Sequence, residues 1–389
     1  MERTVYADHH ATTPMRREAF EAMVPWLTES HGNPSSTHAM GRAARRAVEE
    51  ARATAARCLD AAAEEVVFTS GGTESDVLAV VGAARAARAA DPRRLRVVIG
   101  GAEHAAVREA AKLLEREGFL LTELPADARG IPAAPPELDE SVALVSVLLA
   151  NNETGAVFEG FPELSRRARA SGAVSHTDAV QAIGKMDVSF RTLDVDLLSM
   201  TAHKLGGPKG AGVLVVRKGT RLQPLASGGG QEKGRRGGTE NVAAIAGLAA
   251  ALRCATSSLD REPARLAALR DRLEHELSTA LPGTRFHAAG GRRLPSVSSA
   301  MLPDVDAESL LAALDLEGIC ASSGSACHAG TTAPSRVLLA MGLTADEAKA
   351  TLRFSFGHTS QEADVDRLME VLPPLAERVR LAFGAARHG

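Results

Sequence analysis

A lysine at the end of an apolar segment carries the first chemical signal in the sequence. Lys204 follows residues 197–200, which have the composition of a buried strand, and a glycine-rich stretch comes directly after it. Desolvation of an amine at such a place favours its neutral form, and a neutral amine can form a Schiff base with an aldehyde cofactor. On this segment alone, a surface lysine in a turn is an equally good interpretation.

An aspartate upstream of this lysine fits the same chemistry. Asp178 lies at the end of another predicted strand, upstream of the lysine. A carboxylate that faces a pyridine nitrogen keeps that nitrogen protonated, and the protonated ring of pyridoxal phosphate then stabilises a carbanion on a bound amino acid. The alternative is that Asp178 only caps the helix that follows it.

The third feature is a strand that runs through a glycine turn into a helix, at residues 68–75. Gly72 and Thr73 offer backbone N–H groups and a hydroxyl at the positive end of that helix, where an anion such as phosphate binds. The spacing matches neither a Walker loop nor a dinucleotide fold, and alone the turn could serve only as an N-cap. The lysine, the acid and the anion cradle together predict pyridoxal phosphate as the cofactor.

The elements that must position these residues alternate between strand and helix. The predicted strands are residues 65–69, 96–99, 143–149, 173–176, 197–200 and 212–216, and the predicted helices are residues 42–58 and 74–90. This alternation is typical of an α/β fold with a mostly parallel sheet flanked by helices.

The pattern of predicted secondary structure changes after about residue 255. A long charged helix over residues 259–281, a strand over residues 296–301 and two amphipathic helices indicate a second domain. We therefore expect a large cofactor-binding domain over residues 12–255. A smaller α+β domain is expected over residues 1–11 and 256–389.

Composition narrows the function classes. A formal net charge of −3 and an aromatic share of 3% argue against direct nucleic-acid binding, because neither a basic field nor stacking platforms are available. The glycine-rich run of residues 228–238 is accordingly a poor candidate for an RNA-binding segment. The longest apolar stretch is too short to span a bilayer, and no targeting segment is recognised at the N-terminus, so a cytoplasmic protein is expected.

Four cysteines stand without metal-binding or CxxC spacing, so no metal site is predicted and free thiols in a reducing compartment are expected. Cys327 lies in residues 321–332, a run of small residues that cannot build a core. Such a segment is expected to move, which suits a nucleophile that carries a group between two places. Cys58, Cys254 and Cys320 are better explained as inert, buried thiols.

At this point the sequence resembles the class V aminotransferase group of fold-type I pyridoxal-phosphate enzymes, and specifically the cysteine desulfurases of the NifS and IscS type. The resemblance covers nearly the whole chain. Its motifs occur in the expected order at residues 11–14, 32–36, 69–76, 103–104, 151–155, 203–204 and 322–327.

The resemblance implies a role for each matching residue. Lys204 would hold the cofactor, with His104 over the ring and Cys327 as the sulfur-accepting nucleophile. The other implied cofactor contacts are Asp178 at the ring nitrogen, Gln181 at the ring oxygen, Asn152 beside the ring, and Gly72, Thr73, Thr201, His203 and Thr239 at the phosphate. Thr239 would reach the partner subunit's cofactor, which implies a homodimer. The glycine-rich run would then be part of the segment that makes this contact. Arg353 and Asn33 would bind the substrate carboxylate.

The implied reaction converts L-cysteine to L-alanine and leaves the sulfur as a persulfide on Cys327 for an acceptor protein. Iron–sulfur assembly, tRNA thiolation and DNA phosphorothioate modification remain open as destinations, because one persulfide serves them all. The long form of the cysteine segment favours the IscS-like group. Val77 and Gln231 depart in minor ways from relatives, and the short segment after residue 386 leaves docking to an iron–sulfur scaffold in doubt. The alternatives are another class V enzyme, such as an aminotransferase or selenocysteine lyase, and a non-catalytic sulfur carrier.

Overall fold

The computed structural model describes residues 4–135, 137–323 and 333–388. Its strands are β1 Val5–Tyr6, β2 Val66–Thr69, β3 Arg96–Gly100, β4 Leu120–Leu124, β5 Val142–Ser146, β6 Val174–Asp178, β7 Leu197–Thr201, β8 Gly212–Val216, β9 Arg285–Phe286, β10 Val297–Met301, β11 Ile319–Cys320, β12 Ser322–Ser323 and β13 Thr351–Ser355. Its helices are α1 Arg17–Thr28, α2 Ala39–Leu59, α3 Gly72–Ala90, α4 Ala105–Arg116, α5 Phe161–Ala170, α6 Phe190–Leu193, α7 Val242–Thr256, α8 Glu262–Ala280, α9 Ala307–Leu316, α10 Arg336–Ala340, α11 Ala345–Lys349 and α12 Glu362–His388.

A seven-stranded sheet forms the centre of the larger part of the chain. Its order is β2-β8-β7-β6-β5-β3-β4, and every pairing is parallel except the two that β8 makes with β2 and β7. The prediction of an α/β fold with a mostly parallel sheet is therefore confirmed. Strands β5, β7 and β8 are buried at every position, as expected of a sheet covered by helices on both faces.

A four-stranded antiparallel sheet, β12-β13-β10-β9, lies in the C-terminal part. The N-terminal strand β1 pairs in parallel with β11, so the first residues join this part of the molecule. One hydrophobic cluster accordingly combines Val5 and Ala7 with buried residues between Leu266 and Ala376, whereas another is built around the seven-stranded sheet and α7. This packing supports the two-domain division, which stays a prediction.

The sheet geometry decides where chemistry can occur. The carboxyl ends of parallel strands meet at one edge of a sheet, and the crevice outside that edge is where such folds bind ligands. Asp178 is the last residue of β6, while Lys204 follows the end of β7 by three residues. Within the described residues, no helix has the length and apolarity needed to cross a membrane.

Candidate active site

A cavity of about 450 Å³ opens at this carboxyl edge. It is lined by most of the residues predicted from the sequence, namely Gly72, Thr73, His104, Asn152, Asp178, Gln181, Thr201, His203, Lys204 and Arg353. The fold therefore brings ten of the site residues predicted from the sequence to one cavity, although the role of each stays a prediction.

Lys204 is held at the cavity by carbonyl groups. Its Nζ donates to the backbone oxygen of Ala11 at 2.7 Å and to that of His10. Both carbonyls belong to the N-terminal segment, which crosses from the smaller part of the chain to the edge of the large sheet. These acceptors are uncharged, so they orient the amine without fixing a positive charge on it.

The start of α3 forms the anion cradle that the sequence predicts. Strand β2 ends at Thr69, and Gly71 adopts a φ of +156° before the helix begins, a conformation that favours glycine. A Cβ on Gly72 would lie 2.9 Å from Val180 Cγ2, so a side chain there would crowd the cavity wall. The first N–H groups of a helix have no acceptor within it, so this end of α3 can bind a phosphate.

Buried acids stand at the other side of the cavity. One carboxylate oxygen each of Asp76 and Asp178 and one ring nitrogen of His104 lie within 4.8 Å of one another. Burial raises the pKa of Asp178 and raises that of Asp76 well above its usual range, and the proximity of Asp178 adds to the effect on Asp76. Asp178 also accepts the N–H of Val180 at 2.8 Å, but turns and not a helix follow it, so the alternative of a helix cap is wrong.

Asp178 is fully buried, and the nearby His104 and Lys204 oppose the effect of that burial on its pKa. A protonated pyridine nitrogen facing this carboxylate would favour its ionised form further. The acid at one side, the amine beside it and the helix N-terminus together fit pyridoxal phosphate: Asp178 would hold the ring nitrogen, Lys204 the aldehyde carbon and the start of α3 the phosphate.

Arg353 lies on the central strand of the small sheet and reaches the cavity from that side. It is 2% exposed. One Nη donates to Asp8 Oδ1 at 2.8 Å and the other to the carbonyl of Asn152 at 3.1 Å, whereas the Nε has no partner. A buried guanidinium with an unused N–H at the cavity is suited to an anionic substrate group.

Two further acids at the cavity were not singled out from the sequence. Glu103 accepts the N–H of Leu148 at 2.6 Å, and burial raises the pKa of Glu103 well above its usual range. Glu153 accepts the hydroxyl of Ser335 at 2.5 Å, and burial raises the pKa of Glu153 to about 7. Each adjoins a predicted residue in a motif, and only that adjacency could have pointed to them.

Two predicted residues do not line this cavity, and a third cannot be located among the described residues. Asn33 is exposed, and its Oδ1 accepts the N–H of Ser35 at 2.8 Å, so it acts locally as a turn residue. Thr239 is exposed as well. Cys327 lies outside the described residues.

A buried ion pair holds part of the glycine-rich run of residues 228–238 in place. Glu232 is buried within it and forms two hydrogen bonds with the guanidinium of Arg52, at 2.8 and 2.9 Å. Glu232 and Lys233 both have left-handed backbone angles, which this buried ion pair can hold in place. The three cysteines expected to be buried are free thiols, and each is only partly buried.

Comparisons with known proteins agree with this site. The profile of the family described as Aminotransferase class-V matches residues 5–368. A cysteine desulfurase of Cereibacter sphaeroides is 45% identical over 394 aligned residues, which cover 99% of this chain and 99% of the relative. A cysteine desulfurase IscS of Dictyoglomus turgidum is 41% identical, with 98% of this chain and 96% of the relative covered.

A solved structure of a NifS-like protein superposes with a TM-score of 0.88 at 32% identity, covering 97% of this chain and 100% of that chain. The predicted fold class and the predicted cofactor are confirmed, and the comparisons favour a cysteine desulfurase over another class V enzyme. The chain belongs to the class V aminotransferase family and, within it, to the pyridoxal-phosphate-dependent cysteine desulfurases.

Proposed function

We propose that this chain converts L-cysteine to L-alanine, using Lys204 as the cofactor-holding amine and Cys327 as the sulfur acceptor. The observation that carries the proposal is the meeting of Lys204, Asp178 and the start of α3 around one cavity. When bound, pyridoxal phosphate supplies an electron sink that stabilises negative charge at the α-carbon of an amino acid.

Lys204 moves the protons of the reaction. Its Nζ would take the α-proton of the substrate as a general base. The carbonyls of His10 and Ala11 keep the amine at the cavity during this step. Asp178 stays ionised once a cation faces it, since a nearby positive charge lowers the pKa that burial raises.

Arg353 and Asn33 bind the carboxylate of cysteine in this proposal. The structure supports Arg353, which lines the cavity and whose buried Nε has no hydrogen-bond partner. Asp8 holds the same guanidinium at 2.8 Å and therefore competes with the substrate carboxylate for one of its N–H groups. The exposed position of Asn33 gives that residue no comparable support within a single chain.

The sulfur passes to Cys327 and then to an acceptor protein. The thiolate attacks the substrate sulfur and the carbon–sulfur bond breaks with its electron pair left on the carbon. That carbon takes up a proton to give alanine, and Cys327 keeps the sulfur as a persulfide. Both flanks of the segment that carries this cysteine support the assignment. Ser322 pairs with Arg353 across β12 and β13, and residues 333–337 line the cavity.

The active unit is a homodimer in this proposal, with Thr239 bonding the phosphate in the partner subunit's site. Thr239 is exposed and does not line the cavity of its own chain. Helix α1 exposes 55% of Phe20 and 63% of Leu27, one helical face that a second copy could cover. A sedimentation experiment that finds only monomers would remove this part of the proposal.

Covalent trapping tests the assignment of the amine. Borohydride fixes the cofactor on the lysine that holds it, and peptide mapping then identifies that residue. We expect the label on Lys204, and we expect Lys204→Ala to lose alanine formation by about 1000-fold or more. The matched control is Lys209→Ala, an exposed lysine five residues away, which keeps both label and activity. A label on Lys185, a buried lysine nearby, would contradict the proposal.

A further inference from the structure

A second lysine is buried behind the cavity and has no place in the mechanism above. Lys185 is 7% exposed and lies in the turns that follow β6. No carboxylate within the described residues forms a salt bridge with it. Both hydrogen bonds of its Nζ go to one residue, to Gln181 Oε1 at 2.8 Å and to the Gln181 carbonyl at 3.1 Å.

The environment of this amine favours its neutral form. Burial lowers the pKa of Lys185 well below its usual value, and the positive charges of Lys204 and Arg353 lower it further. A neutral amine has two N–H groups, and the two oxygens of Gln181 use both of them. Lys185 therefore acts as a hydrogen-bond donor to Gln181 and not as a counter-charge.

The side-chain amide of Gln181 is held at both ends. Its Oε1 accepts from Lys185, while its Nε2 donates to the carbonyl of His10 at 3.0 Å. Rotation of the amide by half a turn would bring Oε1 against the oxygen of His10, which is unfavourable. It would also replace the N–H···O bond from Lys185 by a contact that only the single lone pair of the neutral amine could accept. One N–H of Nε2 remains unused, and Gln181 lines the cavity.

We propose that Lys185 is a positioning residue that fixes the amide orientation of Gln181, so that Gln181 presents an N–H group to the ring oxygen of pyridoxal phosphate. The inference rests on the role proposed for Gln181. The same arrangement serves Lys204, because the His10 carbonyl that accepts from Gln181 also accepts from Lys204 Nζ. One buried amine thus orders the polar groups that surround the aldehyde end of the cofactor.

A double-mutant cycle on cofactor binding tests this arrangement. The variants are Lys185→Met, Gln181→Leu and both together, and the measured quantity is the dissociation constant of pyridoxal phosphate from coenzyme-free protein. Lys185→Met removes the donor that holds Gln181 Oε1, and the poorer orientation of the amide is expected to weaken cofactor binding about 5- to 10-fold. In the Gln181→Leu background, the same change is expected to weaken binding by less than about twofold.

A second readout separates positioning from a merely structural role. A donor at the ring oxygen stabilises its charged form, so the pH at which the absorbance of the bound cofactor changes is expected to move with Lys185→Met but not with Lys349→Met. Lys349 is an exposed lysine on α11 and serves as the matched control. If Lys185→Met does not fold, Lys185→Gln is taken through the same cycle, and its effect must also disappear in the Gln181→Leu background.

Equal losses in the two backgrounds would overturn the proposal, since Lys185 would then act independently of Gln181. An unchanged absorbance titration would overturn it as well. Neither result depends on desulfurase activity, because both report on cofactor binding. Failure to form alanine would instead count against the proposed function.

Discussion

Replacement of Glu153 by glutamine is the most quantitative test of the electrostatics of this cavity. Burial raises the pKa of Glu153 from an ordinary 4.5 to about 7, against the opposing effects of the Ser335 hydroxyl and of Arg353 and Arg108. The folded chain therefore holds a proton at this carboxyl that the unfolded chain has already lost. This difference in pKa between the folded and the unfolded chain corresponds to about 3 kcal/mol of unfolding free energy.

The sign of the pH dependence follows directly. A group whose pKa is raised by folding contributes stability that is present below about pH 4.5 and is lost as the pH rises to about 7. The amide introduced by Glu153→Gln does not ionise in this range, so the variant avoids that loss. The variant is expected to gain about 3 kcal/mol in unfolding free energy, relative to the parent, between about pH 4.5 and about pH 8.

Urea unfolding of the coenzyme-free proteins across this pH range measures the difference. Glu50→Gln, at an exposed position on α2, is the matched control and is expected to show no such trend. The changed hydrogen bond with Ser335 contributes the same difference in unfolding free energy at every pH, so only the pH-dependent part tests the reasoning. If the difference between Glu153→Gln and the parent does not change from acid to alkaline pH, the reasoning is refuted, because Glu153 would then ionise normally in the folded chain.

Two other substitutions test separate parts of the structure. Burial lowers the pKa of His176 to about 3, so the parent should lose about 1.4 kcal/mol of stability per pH unit at this residue as the pH falls below 6.5, and urea unfolding of His176→Asn should show a correspondingly shallower acid slope. Arg353→Lys loses the planar donor arrangement for a carboxylate, so steady-state kinetics should show KM for L-cysteine rising about 10-fold with a smaller change in kcat; a fall in kcat alone would speak against carboxylate binding.

Strand positions in the large sheet were predictable because burial on both faces leaves continuous apolar runs. Residues 96–99 and 197–200 are strands as predicted, each one residue longer in the structure. The prediction of a strand over residues 143–149 runs too far, since β5 ends at Ser146. The following residues are still apolar because they pack at the cavity edge, where Leu149 bonds the carbonyl of Asp178.

The elements that sequence reasoning left out lack such a pattern. Helix α1 contains Pro25 and exposes large apolar residues, so its periodicity does not mark a buried face. Helix α7 is apolar on nearly every side, since it lies in the core between other helices. Both packing arrangements depend on segments distant in the sequence.

The residues of the candidate site likewise fall into those that the sequence could predict and those that it could not. Lys204, Asp178 and Gly72 could be found because each stands at the end of a strand with a recognisable local pattern. Lys185 and Glu153 could not be assigned from the sequence, because their character comes from burial and from partners that only the fold brings near them. A lysine or a glutamate in isolation is most often an exposed surface residue.

Mass spectrometry of the protein after exposure to L-cysteine, without reductant, tests the central claim most directly. The account predicts one additional sulfur atom on the peptide that contains Cys327, together with alanine in the solution. Cys327→Ser should keep the cofactor but gain no sulfur, whereas Cys254→Ser should behave like the parent. Sulfur found on another cysteine, or alanine formed at the parental rate by Cys327→Ser, would contradict the account.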